Sequence, residues 1–290
     1  MKFFNIRITR KYASLGLVLI FAFASCKTLN RNLSYDQMVT AASPQAKLLL
    51  ENPDFSNCNI RFHKDFEDVK LKCNLWGESK LKSGIPVLCT FKRENDWGWR
   101  WEIPENARGV IGYPALEVGR NPWGKDKKDE KIAGFPIQVY KISNLTVDYE
   151  VEMYVKHRKY NLAFDLWLTD IEFGDGKNIK TEIMIWEDYF DFSSYGKVKE
   201  IIETPFGEYK VHTGYLKNEK FAQDWTYVAF VRTEKRDSGT VDIKYLLNYL
   251  VSNEIISEEH YFTSIEFGNE IGNSSGLTLV KQFDWDFEVN

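Results

Sequence analysis

The chain has 290 residues, of which 28% are charged and 43% hydrophobic, with a formal net charge of −4, four Cys and four His. That length can bury a substantial core as one all-β unit. The acidic, mixed-sign balance without a basic stripe excludes a nucleic-acid partner, and the scattered His63, His157, His212 and His260 form no paired metal-ligand motif.

At the N-terminus Lys2, Arg7, Arg10 and Lys11 precede an apolar run from Ala13 to Ala24. The run is too short to span a bilayer comfortably and reads as a signal segment. It ends Phe23-Ala24-Ser25-Cys26, small residues before a Cys, which resembles a bacterial lipoprotein cleavage site with Phe23 where Leu is usual. The expected organisation is a signal peptide over 1–25, a tether over 26–56 and a folded domain over 57–290. Export to the outer membrane or cell surface is expected, with membrane contact through a lipid on Cys26. In that oxidising compartment Cys58, Cys73 and Cys89 leave one disulfide and one buried thiol, with the pairing open.

Short alternating runs follow: Val69–Leu75, Val87–Phe91, Pro136–Ile142, Thr146–Val155, Glu208–Gly214, Trp225–Thr233 and Leu277–Val289. Gly, Asn and Asp clusters such as Gly174–Asn178 separate them. This pattern predicts strands of an all-β sandwich or barrel. One helix is predicted around Val241–Val251, where apolar residues recur at helical spacing. Trp97, Trp99 and Trp101 alternate on one side of a strand and serve either a cleft or the core. Lys125–Lys131 reads as a solvated loop, and Trp225 as structural.

Two strands carry the chemistry. In Tyr160–Leu168, Leu162, Phe164, Leu166 and Leu168 share one face, and Ala163, Asp165 and Trp167 the other. In Thr181–Trp186, Ile183 and Ile185 share one face, and Glu182, Met184 and Trp186 the other. A carboxylate held between an aromatic and a thioether is partly desolvated, which suits catalysis. Glu187 and Asp188, directly after, read as strand-end surface charges. Near the C-terminus Glu266, Gly268 and Glu270 share a face opposite Ile265 and Phe267.

These blocks resemble glycoside hydrolase family 12, retaining endo-β-1,4-glucanases and xyloglucanases with a β-jelly-roll fold. The resemblance rests on Asn74-Leu-Trp-Gly77, Gly112–Gly119 with Asn121-Pro-Trp123, Glu182-Ile-Met-Ile-Trp186, and Tyr261–Glu270 followed by Gly276–Leu279, in the family's order. It implies a two-sheet jelly-roll with a concave substrate cleft and one short helix. It implies Glu182 as nucleophile, Glu270 as general acid/base, and Asp165 as a carboxylate that holds and tunes Glu182. Asn74, Trp76, Met184 and Trp186 are implied to bind sugar. Glu266 is a rival acid, and Asn269 departs from the aromatic or Thr often found there. The resemblance also favours Cys58–Cys89. A β-glucan substrate, a monomer and no cofactor or metal are expected. The alternatives are a jelly-roll that binds carbohydrate without cutting it, a β-1,4-xylanase, and a structural lipoprotein.

Overall fold

The computed structural model describes residues 35–123, 129–156, 159–218 and 223–290. The predicted signal peptide, Cys26, the first part of the tether and most of the Lys125–Lys131 run lie outside the described residues. In chain order the elements are α1 (Tyr35–Ala41), α2 (Pro44–Glu51), β1 (Phe55–Asn57), β2 (His63–Phe66), β3 (Val69–Lys72), β4 (Val87–Arg93), β5 (Asp96–Glu102), β6 (Ala115–Gly119) and β7 (Ile137–Gln138). Then come β8 (Ile142–Lys156), β9 (Tyr160–Thr169), β10 (Ile179–Phe190), β11 (Lys197–Thr204), β12 (Gly207–Asn218), β13 (Gln223–Arg232), β14 (Ser238–Asp242), α3 (Ile243–Ser252), β15 (Tyr261–Gly268) and β16 (Ser275–Val289).

The strands form two sheets. A six-stranded sheet runs β1-β4-β5-β16-β8-β14, and a ten-stranded sheet runs β11-β12-β13-β10-β9-β15-β6-β3-β2, with β7 beside β15. All pairs are antiparallel except β10 with β13. The predicted faces follow the pleat: Leu162, Phe164, Leu166 and Leu168 of β9, and Ile183 and Ile185 of β10, are all at most 1% exposed in the core between the sheets. Each such burial contributes about 1.5–3 kcal/mol. Trp99 and Trp101 also belong to that core, so the alternating Trp stripe of β5 packs the fold; only Trp97 is partly open, edge-on to Phe66.

The predicted helix is α3. Asp242 caps it by accepting from the Tyr245 N–H at 2.7 Å, and Ile243, Leu246, Leu247 and Leu250 are buried. The segment Pro136–Ile142 shortens to β7 and one helical turn. Two further helices lie where the sequence reads as a tether with a short amphipathic stretch over Ala46–Glu51. Within the predicted tether, Ser43 caps α2 at 3.1 Å ahead of Pro44. Met38, Ala46 and Leu49 are fully buried against Cys89, Phe91, Tyr154 and Leu279 of the six-stranded sheet. Residues 35–56 therefore pack on the body rather than spacing it from a membrane.

Cys58 pairs with Cys89, and Cys73 is a buried thiol. Glu187 corrects the surface-charge reading. β10 runs on past Trp186 to Phe190, so Glu187 keeps the parity of Ile183 and Ile185 and points inward, where it is fully buried. It accepts from Tyr149 Oη at 2.6 Å and Tyr209 Oη at 2.9 Å and pairs with Arg236. Asp188 is partly buried and accepts from Tyr160 Oη at 3.0 Å.

Candidate active site

The face of the ten-stranded sheet turned away from the core carries the polar constellation. Cross-strand register fixes its rows. Glu182 lies opposite Trp167 on one side and Tyr227 on the other; Met184 lies opposite Asp165 and Ala229; Trp186 lies opposite Ala163 and Val231. Asp165 in turn faces Glu266, which faces Glu117. Met184 and Trp186 are only 3% and 2% exposed although they point away from the core. This face is therefore recessed and walled.

Glu182 is partly open to solvent, and its Oε2 accepts from Trp225 Nε1 at 2.9 Å. Burial lifts its carboxyl to about 8; the Trp225 N–H opposes that, and the charges of Glu270 and Glu266 add to it. Trp225 sits in an aromatic trio with Trp123 and Trp167, ring centroids 5.5–6.3 Å apart. The structural reading of Trp225 misses this contact. No parity rule shows it, because β13 reaches β10 only after the chain has passed through β11 and β12.

Glu270 follows the end of β15 and is clamped by Asn161 of β9. Asn161 Nδ2 donates to Glu270 Oε2 at 2.5 Å, the Glu270 N–H donates to Asn161 Oδ1 at 2.9 Å, and the Asn161 N–H donates to the Glu270 carbonyl at 3.1 Å. Burial lifts this carboxyl to about 7, with the Asn161 bond and Lys80 pulling the other way. Asn161 shares the face of Asp165, so strand parity alone could have found it. Gly268 sits where a Cβ would lie 2.1 Å from the Pro114 carbonyl, so only Gly lets β15 press against β6 before the turn to Glu270. Asn269 points away from the cleft. Its amide accepts from Trp99 Nε1 and Thr278 Oγ1, both at 2.8 Å, and donates to the Asn161 carbonyl at 2.8 Å. The residue that departs from the family pattern thus ties the Glu270 turn to both sheets.

Asp165 lies between the two. Burial and the charges of Glu182, Glu266 and Glu270 push it well above the ordinary carboxylate range. Its Oδ1 is buried with no partner among the described residues. Glu266, the rival acid, is 1% exposed and committed: Oε2 pairs with Lys72, and Oε1 accepts from Asn121 Nδ2. Lys72 also binds Glu117 at 2.7 Å. A carboxyl with both oxygens held this way is a poor proton donor to a substrate.

Asn74 ends β3's extension in the left-handed region at φ 51°, which Asn tolerates. Trp76 beside it is 52% exposed, with Lys80 Nζ 4.5 Å from its ring centroid. Lys80 is also the cation acting on Glu270. Trp76 therefore flanks the Glu270 end, and the Trp123–Trp167–Trp225 trio flanks the Glu182 end.

Comparison with known proteins places this geometry in context. Residues 68–290 match the model of glycosyl hydrolase family 12. The chain is 29% identical over 219 residues to endoglucanase S of Pectobacterium parmentieri, covering 73% of this chain and 79% of that protein. Among solved structures, a family 12 xyloglucanase from Bacillus licheniformis superposes with a TM-score of 0.73 at 23% identity, over 80% of this chain and all of that one. Endoglucanase cel12A from Rhodothermus marinus superposes with a TM-score of 0.68 at 19% identity, over 81% of this chain and all of that one.

Proposed function

Because the chain belongs to glycosyl hydrolase family 12 and is a glycoside hydrolase, we propose that it cuts internal bonds of β-1,4-linked glucan by double displacement. The observation that carries this reading is the pair of partly desolvated carboxyls, Glu182 and Glu270, on one recessed face, each held by a single N–H donor. Glu182 attacks the anomeric carbon as a carboxylate. Glu270 donates its proton to the glycosidic oxygen as that bond breaks. Glu270 then takes a proton from water, which attacks the same carbon and frees Glu182. Retention by this route asks for carboxyls about 5–5.5 Å apart.

The pair titrates as a unit. With values of about 7 and about 8, it holds a single proton near neutral pH. Productive turnover needs that proton on Glu270. Positive charge developing at the anomeric carbon beside Glu182 favours this order, since it stabilises the Glu182 anion. Burial and the charges of Glu182, Glu266 and Glu270 push Asp165 away from its charged form, and its own buried Oδ1, without a partner among the described residues, disfavours a second negative charge beside the nucleophile.

The test is a reducing-end assay on carboxymethylcellulose, mixed-linkage β-glucan, xyloglucan, xylan and laminarin. At least one of the three β-1,4-glucosyl polymers is expected to be cut, with Glu182→Gln and Glu270→Gln each slower by about 10²-fold or more. Binding of these polymers without any product would sink the hydrolytic reading, and cleavage of xylan alone would replace the substrate class.

A further inference from the structure

Beyond the nucleophile, the row that holds Glu182 continues across the sheet to a second aromatic surface. Glu182 of β10 lies opposite Tyr227 of β13, and Tyr227 lies opposite Gly214 of β12. Paired residues point to the same side of a sheet, so all three face the cleft. Gly214 has no side chain, and the ring of Tyr195, from the loop between β10 and β11, takes its place. A Cβ on Gly214 would lie 2.8 Å from Tyr195 Cε1.

The ring is fixed on three sides. Its hydroxyl donates to the Tyr215 carbonyl at 2.9 Å. Its plane meets Tyr227 edge-on at a centroid distance of 5.7 Å and an angle of 83°. The next residue, Gly196, takes φ +85° and presses so close to β12 that a Cβ there would lie 2.3 Å from the Thr213 carbonyl. Even so, Tyr195 is 51% exposed. A large aromatic ring held rigid and left half bare has already lost the entropy that binding would otherwise cost. Its position is two strand spacings from Glu182, on the order of 10 Å. Trp76 lies on the other side of the carboxyl pair, towards β3.

We propose that Tyr195 is a stacking platform for the leaving-group side of the glycan, completing a cleft that runs from Trp76 across the carboxyl pair to the β12 edge. This deepens the glucan-hydrolase reading and rests on it. The flat ring suits the C–H face of a pyranose, and Gly214 beneath it keeps the row level from nucleophile to platform. The same platform would hold an incoming sugar that intercepts the glycosyl–enzyme in place of water.

The test compares cellohexaose, which fills both sides of the cut, with an aryl β-cellotrioside, whose leaving group carries no sugar. For Tyr195→Ala the ratio of kcat/KM on cellohexaose to that on the aryl glycoside should fall about fivefold to tenfold, the worth of one aromatic contact. Transfer of the cellotriosyl unit to added cellobiose should fall in parallel, while Tyr195→Phe, which keeps the ring, should hold both near wild type. An unchanged ratio with unchanged transfer overturns the platform. So does an equal loss on both substrates, which marks the ring as structural. If the wild type cuts only xyloglucan, the branched oligosaccharides and aryl glycosides of that polymer replace this pair, and if it cuts none of them it is the hydrolase reading beneath it that falls.

Discussion

Trp225 donates its only N–H to Glu182, and that bond stabilises the carboxylate against the burial that raises it. Trp225→Phe keeps the ring in the aromatic trio and removes the donor. The pKa of Glu182 then rises further, so more of the pair's single proton sits on the nucleophile, where it blocks attack. The upper limb of the kcat/KM–pH profile should move up by about one unit, and the maximum should drop about tenfold. A profile unchanged in position and height would show that this bond does not tune the nucleophile. At this scale sequence parity was informative for β9 and β10, whose two faces separate into core and cleft as the alternation implies. It also puts Glu187 on the core face with Ile183 and Ile185, and the surface-charge reading failed because β10 runs on to Phe190 and the carboxylate meets Tyr149, Tyr209 and Arg236 there. It was silent on Trp225 and Lys72, whose partners are remote in sequence.

At the scale of elements, α1 and α2 show why a short segment ahead of the first strand is hard to read. Ala46–Glu51 reads only as a short amphipathic stretch within a tether, Tyr35–Ala41 shows no pattern, and an isolated helix of that length is marginal in water. Their stability is tertiary. Leu49 seats in the notch above Gly98 of β5, where a Cβ on that glycine would lie 2.7 Å from Leu49 Cδ2. Leu49→Ala should therefore cost about 2–4 kcal/mol in urea unfolding, as in other core truncations. A chain begun at residue 57 should lose at least as much, since Phe91, Leu277 and Leu279 would lose their cover. Equal stability of chains begun at residues 33 and 57 would show that the helices are ornaments on the sheet. By contrast α3 was legible, because it combines an Asp cap with four buried apolar residues on one face.

For the whole molecule, the two-sheet jelly-roll follows from many short alternating runs, and four blocks in family order fix its strand sequence. What alternation cannot supply is the recess itself. Glu270 stands past the end of β15, and it shares a site with Glu182 because Asn161 and Asn269 fold its turn back onto β9 while both sheets brace that turn. The central claim is that Glu182 and Glu270 act as nucleophile and acid/base in a retaining reaction. Proton NMR of the first sugar released from cellohexaose tests it most directly, before mutarotation mixes the anomers. The β-anomer should appear first and the α-anomer only later, at the mutarotation rate. First-formed α-anomer would mean inversion by a single displacement, and Glu182 would lose its role as nucleophile.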